Sequence, residues 1–110
     1  MPFDNSPAEL PAIDDLDEEG HVLMRAAAIV AERWCQGELG DPGGVRCAIG
    51  AIIEAAGGDS TFASPSFIVH RAIMRLYHVV GRGVEGWNDA PSRKAAEVSA
   101  AMRAAARTTP

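Results

Sequence analysis

Four stretches of helical periodicity, separated by Gly-rich segments, most constrain what this chain can fold into. In each stretch apolar residues recur at the spacing of an α-helix, and no segment shows the alternation typical of a strand. The predicted helices are one capped by Asp14 or Asp15 that ends before Gly37, one at 46–56, one from Ser64-Pro65 to Gly81, and one with Pro91 in its first turn. The sequence therefore predicts an all-α fold, a compact four-helix domain with two Gly-rich loops at 37–44 and 81–86.

The charge distribution divides the chain into an N-terminal arm and a single domain. Residues 1–20 hold seven acidic residues and no Lys or Arg, whereas all ten basic residues lie in the remainder, with eight acidic ones. Three prolines among polar neighbours in the first dozen residues mark a segment that cannot bury enough apolar surface to offset its ordering entropy. We therefore expect a disordered acidic arm at 1–14 and one helical domain at 15–108, since 110 residues suffice for one core.

Two features of the sequence bear on where the protein works. No apolar run approaches the ~20 residues of a membrane helix, and the acidic N-terminus lacks the basic start of a secretory signal. The two cysteines, Cys35 and Cys47, are too few for a disulfide framework and would remain thiols in a reducing compartment. We therefore expect a cytoplasmic protein without membrane association and without a cofactor.

Three short motifs stand out: Trp34-Cys35-Gln36-Gly37, Cys47-Ala48-Ile49-Gly50-Ala51, and Trp87-Asn88-Asp89 with Arg93 four residues on. In this order they resemble an uncharacterised family of small bacterial proteins, a domain of unknown function. That family's pattern joins a Trp-x-Gln-Gly turn, a Cys-Ala-Leu/Ile-Gly-Ala helix and a Trp-Asn-Asp-x-x-x-Arg turn. The resemblance covers most of the chain and implies a shared fold, but no known activity. Ser92 and Lys94 depart from the family, which often has Gly before the last Arg and Thr after it.

The Trp87-Asn88-Asp89 turn has two interpretations. In the first, Trp87 anchors against the helices, Asp89 or Asn88 caps the last helix, and Arg93 pairs with Asp89. In the second, a ligand or partner binds a polar cluster of Gln36, Asn88, Asp89 and Arg93, walled by the two Gly-rich loops. We favour the structural interpretation, because caps and anchoring aromatic residues are common.

Gly50 lies inside the predicted second helix, which is apolar nearly all round and should be the central element. A helical glycine costs stability relative to alanine, so Gly50 indicates that another backbone or a ring approaches closely there. Trp34 and Trp87 are the expected rings. We therefore predict structural roles for Trp34, Gly50 and Trp87.

An enzymatic alternative uses Cys47 as a nucleophile. The start of a helix can lower a thiol pKa, Gln36 can offer an oxyanion donor, and His70, His78 or Asn88 can complete a Cys-His-Asn arrangement. Against this, cysteine is often buried, and the small residues beside Cys47 indicate close packing. A cysteine-dependent hydrolase or transferase is thus the alternative to a protein without catalytic residues.

The third helix carries a second candidate surface. Arg71, Arg75, His78 and Arg82 fall at helical spacing opposite its apolar face and predict a basic stripe. Such a stripe is either a solvated face or a site for an anion or an acidic segment. The overall acidity disfavours nucleic acid, and the scattered histidines and cysteines lack the spacing of metal ligands.

Together these patterns favour a non-catalytic interaction or small-ligand-binding module. The expected partner is another protein or a second copy of the chain, because Ala-rich helices pack readily and a small domain gains core by dimerising. A small anionic ligand is a further expectation. The third alternative is a regulatory protein whose acidic arm competes with an acidic partner for Arg71, Arg75 and Arg82.

Overall fold

The computed structural model describes residues 16–57 and 67–108, and these residues form five helices. In chain order the helices are α1 (Glu18–Arg33), α2 (Ala48–Ala55), α3 (Phe67–Val80), α4 (Val84–Asn88) and α5 (Ala95–Ala106). Over these two ranges there is no strand, only isolated bridges that join Arg46 to Trp34 and to Gly40. The predicted all-α fold is confirmed, with one helix more than expected. The predicted disordered arm and the Ser64-Pro65 helix start lie outside the described residues.

Helix α1 begins at Asp17, whose carboxylate accepts a hydrogen bond of 2.9 Å from the Gly20 amide. The expected caps were Asp14 and Asp15, which precede the described residues. Helix α1 packs chiefly against α5. A Cβ at Gly20 would lie 2.7 Å from the Ala106 carbonyl oxygen, so the glycine permits close contact between the start of α1 and the end of α5.

The core lies between α1, α2, α3 and α5, and small side chains make up much of it. Fully buried alanines allow the helix backbones to approach, while larger aliphatic residues fill the remaining space. The largest fully buried apolar side chains are Leu23, Ile52, Leu76, Met102, Val22, Val30 and Val98. As predicted, α2 is buried along most of its length. None of the helices described is both long and apolar enough to cross a bilayer.

The second Gly-rich loop is partly helical, which corrects the expected architecture. Gly83 precedes α4, Gly86 lies within it, and Asp89 follows its last residue. Helix α5 starts only at Ala95, after Lys94. Neither Asn88 nor Asp89 therefore caps the last helix, because five residues separate Asp89 from it. The α5 start is stabilised instead by Glu97, whose carboxylate accepts a 2.9 Å hydrogen bond from the Lys94 amide.

Candidate functional site

Asn88 lies at the meeting point of α1, α2 and α4, and it is 1% exposed. Its Oδ1 accepts hydrogen bonds from Trp34 Nε1 at 2.7 Å and from the Ala48 amide at 3.0 Å. Its Nδ2 donates to the Cys35 carbonyl at 3.1 Å and to Asp89 Oδ1 at 2.9 Å. An amide side chain has two donor hydrogens and two acceptor lone pairs, so all four are used. We call these four bonds the Asn88 network.

The Asn88 network supplies a hydrogen-bond partner for the start of α2 rather than of α5. Ala48 is the first residue of α2, and the first amides of a helix have no partner within it. Asn88 supplies that partner from 40 residues further along the chain. Burial with every hydrogen bond made internally leaves Asn88 no capacity for a ligand, so its role in this structure is to hold three segments together.

Gln36 and Asp89, which are both exposed, add further hydrogen bonds between the 34–37 turn and the end of α4. Gln36 Nε2 donates to the carbonyls of Asn88 and Ala90, at 3.0 and 2.9 Å. Asp89 Oδ1 accepts from the Gly37 amide at 2.9 Å. The 34–37 turn is therefore joined to the end of α4 by hydrogen bonds that it donates from a side chain, Gln36, and from a backbone amide, Gly37. Because both amide hydrogens of Gln36 are engaged, it offers no free donor for the oxyanion role considered above.

Arg93 stands apart from this group. Its guanidinium carbon lies 4.4 Å from the centre of the Trp87 ring, and its Nε donates to the Trp87 carbonyl at 3.0 Å. It also lies 3.6 Å from Glu97. The expected pairing of Arg93 with Asp89 is absent from the described contacts. Trp87 is buried, as predicted, and Arg93 covers it through a cation–π contact.

Gly50 is the close-approach site that its sequence position predicts, but the neighbour differs from the expected rings. A Cβ at Gly50 would collide with the Leu39 carbonyl oxygen. That oxygen accepts a hydrogen bond of 3.1 Å from the Cys47 amide. The first Gly-rich loop is therefore seated directly on the start of α2, and a side chain at position 50 would lift it away.

A cavity of about 220 Å³ lies between the first Gly-rich loop, the start of α2 and α4. Its lining is Gly37, Glu38, Leu39, Cys47, Ile49, Glu85, Asn88 and Asp89. We call it the acidic cavity, because three of these residues carry carboxylates and none is basic. Within the described part of the chain Glu38, Glu85 and Asp89 take part in no ion pair, although other acids do.

Cys47 lies in the wall of the acidic cavity and precedes α2, where its Sγ accepts a long hydrogen bond of 3.4 Å from the Gly50 amide. Burial raises the pKa of the Cys47 thiol, and hydrogen bonds from the amides of Gly50 and Ile49 offset this only in part. The expected lowering by the helix start is thus outweighed by desolvation. Neither His70 nor His78 lines the cavity.

Arg75 lies in the interior rather than on the basic stripe that its helical spacing predicted, and it is 4% exposed. Its guanidinium donates to the carbonyls of Ala105 and Ala106, both at 2.9 Å, and of Thr108. It also pairs with Asp17 at 2.7 Å. Arg75 thus satisfies the free carbonyls at the end of α5 and joins them to the start of α1.

Arg71 pairs with the buried Glu19 at 2.6 Å, while most of its own side chain remains exposed. Burial alone would raise the pKa of Asp17, but hydrogen bonds from Arg75 and from the Gly20 amide lower it overall. Arg71 and Arg75 of α3 thus contact the start of α1 within the same chain. Arg75 is buried, so little of its guanidinium faces solvent.

The sequence analysis did not identify two sets of residues around the acidic cavity and the start of α2. Glu38 and Glu85 lie in segments without a recognisable motif, so nothing marked them as neighbours of Cys47. Arg46 was also missed, although it is buried, pairs with Glu54 at 2.9 Å and donates to the Asp41 and Val45 carbonyls. A lone arginine beside an apolar helix was the only signal for it.

Fold and site together define a small all-helical domain with an acidic cavity. The chain belongs to DUF6197, a family of unknown function, whose family model matches residues 16–108. The match covers all five helices and confirms the predicted membership of an uncharacterised family. No curated protein and no solved structure matches the chain.

Proposed function

We propose that this protein is a non-catalytic interaction module whose acidic cavity binds a cationic group, such as the guanidinium or ammonium at the end of a partner's side chain. The observation that carries the proposal is the set of three carboxylates around the cavity, at Glu38, Glu85 and Asp89, with no basic residue in the lining. Charges of one sign around a recess, none of them in an ion pair, favour an ion of the opposite sign.

The size of the cavity limits the ligand. Pockets for whole cofactors or drug-sized molecules usually measure about 300–1,000 Å³, and this one holds about 220 Å³. It suits a small group or the end of one side chain. Leu39 and Ile49 add apolar wall, which fits the aliphatic stem of Lys or Arg.

The chemistry of the lining favours an organic cation. Nowhere in residues 16–57 and 67–108 do three or more His, Cys, Asp or Glu side chains form a group that could hold a metal ion. The small anionic ligand expected earlier does not match a lining of carboxylates. The basic stripe expected for such an anion is partly engaged by Glu19 and Asp17.

The Asn88 network supports the proposal by holding the cavity in shape. Asn88 and Asp89 belong to the lining, and their hydrogen bonds fix the 34–37 turn against α4. A preformed recess loses little conformational entropy on binding. The structural and functional interpretations of the Trp87-Asn88-Asp89 turn are therefore compatible. Asn88 fixes the wall of the cavity, while other lining residues contact the ligand.

Calorimetric titration with methylguanidinium tests this proposal. We expect weak, saturable binding, with acetamide and acetate giving none. Glu38→Gln and Glu85→Gln should each weaken binding by up to about fivefold, the usual limit for a partly solvated charge pair. Glu32→Gln is the matched control, because Glu32 is exposed on α1 and outside the cavity. Equal binding of acetamide, or an equal loss in the control, would contradict the proposal.

Self-association is a second binding mode, favoured by one face of α3. Phe67, Met74 and Tyr77 are large apolar residues that are exposed there at helical spacing. We propose that two copies pack through this face. Sedimentation should then show a dimer that Met74→Glu weakens, and a monomer at all concentrations would reject this mode.

A further inference from the structure

We propose that Cys35 and Cys47 form a reversible disulfide, so that the two cysteines constitute an oxidisable site beside the acidic cavity. This inference is independent of what the cavity binds. It rests on a local backbone arrangement that brings the two residues side by side, although 11 residues of the first Gly-rich loop and its flanks separate them in sequence.

The arrangement is a short parallel pairing between the end of α1 and the segment before α2. The Arg46 amide donates to the Arg33 carbonyl at 2.6 Å, and the Cys35 amide donates to the Arg46 carbonyl at 3.0 Å. These two bonds make Trp34 and Arg46 direct partners in a parallel bridge. Cys35 and Cys47 are the next residues along the two chains. There the Asn88 side chain connects them in place of a direct ladder bond, since it accepts from the Ala48 amide and donates to the Cys35 carbonyl.

The spacing of paired strands suits a disulfide. Neighbouring strands lie about 4.8 Å apart, and bridged cysteines have Cα atoms about 4.4–6.8 Å apart. Side chains of laterally paired residues point to the same side of a ladder, so Cys35 and Cys47 both lie opposite to Trp34 and Arg46. Cys47 is in extended backbone at this point, with φ −78° and ψ −179°.

The surroundings of the two sulphur atoms agree with this placement. Cys35 Sγ donates to the Glu38 carbonyl at 3.6 Å, and Glu38 and Cys47 both line the acidic cavity. Burial is the main cause that raises the pKa of Cys35 to about 11, and the electrostatic influence of Cys47 is the next. This influence of Cys47 on Cys35 agrees with the backbone pairing. The raised pKa also means that oxidation is slow at neutral pH, because the thiolate is the reacting form.

The reaction needs a low-molecular-weight disulfide, for which oxidised glutathione serves as the probe. Cys35, the more exposed thiol, loses its proton to solvent and attacks one glutathione sulphur, which breaks the glutathione disulfide and releases one glutathione thiolate. Cys47 then loses its proton and attacks Cys35 Sγ. The second glutathione leaves as a thiolate, and both thiolates are protonated by solvent. The protein dithiol is oxidised by two electrons, and oxidised glutathione is reduced to two thiols.

The test is incubation of the full chain with oxidised glutathione at mildly alkaline pH, followed by mass spectrometry without reductant. We expect a product that has lost two hydrogen atoms, carries no glutathione and no longer reacts with iodoacetamide. Its melting temperature should rise by about 12–20 °C, since a loop of this length is closed, and dithiothreitol should reverse the change. Cys47→Ser should instead stop at a glutathione adduct on Cys35.

The wild-type protein alone decides the outcome, so the test does not depend on the folding of a variant. A stable glutathione adduct on wild-type protein, a disulfide between two chains, or two thiols that persist through long incubation would each overturn the proposal.

Discussion

Replacement of Asn88 by alanine should cost this protein a large part of its stability. The substitution removes all four bonds of the Asn88 network. It leaves the Trp34 ring N–H, the Ala48 amide and the Cys35 carbonyl without their partner. A polar group left unsatisfied in the interior costs about 1–3 kcal/mol. Trp34 and Cys35 are only half-buried, and water can reach them, so the lower end applies and the total is about 3 kcal/mol.

This loss is measurable by urea and thermal unfolding, followed by circular dichroism. Against a typical stability of about 5–15 kcal/mol, 3 kcal/mol should lower the melting temperature by about 12–20 °C. The urea midpoint should fall while the slope of the transition stays unchanged. Gln36→Ala is the matched control, because Gln36 is exposed and water can replace its bonds; it should cost no more than about 1 kcal/mol. A loss below about 1 kcal/mol for Asn88→Ala would refute the reasoning.

Three further predictions concern stability. Gly50→Ala should destabilise by about 1–3 kcal/mol in urea unfolding, because its Cβ meets the rigid Leu39 carbonyl; a more stable variant would contradict this. Arg75→Met should lower the free energy of unfolding by about 3 kcal/mol, since it removes a buried guanidinium that pairs with the buried Glu19 and the half-exposed Asp17, and an unchanged melting temperature would show that these contacts contribute little. The hydrogen bond from Arg33, with further interactions, lowers the pKa of Glu54, so this stabilisation is present above the unfolded-state pKa of about 4.5 and is lost as pH falls through the folded-state value. Unfolding of Glu54→Gln should therefore depend less on pH below about 4.5 than unfolding of the wild type.

Helical periodicity was enough to predict most of the fold. The apolar stripes of α1, α2, α3 and α5 recur over eight or more residues each, so their positions follow from local sequence. The close approach at Gly50 was also predictable, because a glycine inside an apolar helix needs a packing reason. Its partner was not, since the Leu39 carbonyl belongs to an irregular loop whose path depends on tertiary contacts.

Helix α4 could not be predicted for a physical reason. It has only five residues, of which one is glycine, and glycine precedes it. Such a segment has no intrinsic helical preference. It is held in place by burial of Trp87 and by the Asn88 network, in which Trp34, Cys35 and Ala48 lie 40 or more residues away in sequence.

The positions of Arg75 and of the acids around the cavity could not be predicted either, because they too depend on tertiary contacts. A charged residue on a helix is expected at the surface, and Arg75 is buried only because Asp17 and the end of α5 converge on it. Glu38 and Glu85 are exposed residues of separate segments. Their common cavity exists only after the first Gly-rich loop is seated on α2, which no local pattern records.

The position at which a cation binds is the most direct test of the proposed function. Amide chemical shifts, followed by heteronuclear NMR during titration with methylguanidinium, would report it residue by residue. We predict saturable shifts concentrated at Gly37, Leu39, Ile49 and Asp89, with the amides around Arg71 unmoved. An absence of saturable shifts at the cavity, or shifts confined to α3, would contradict the account.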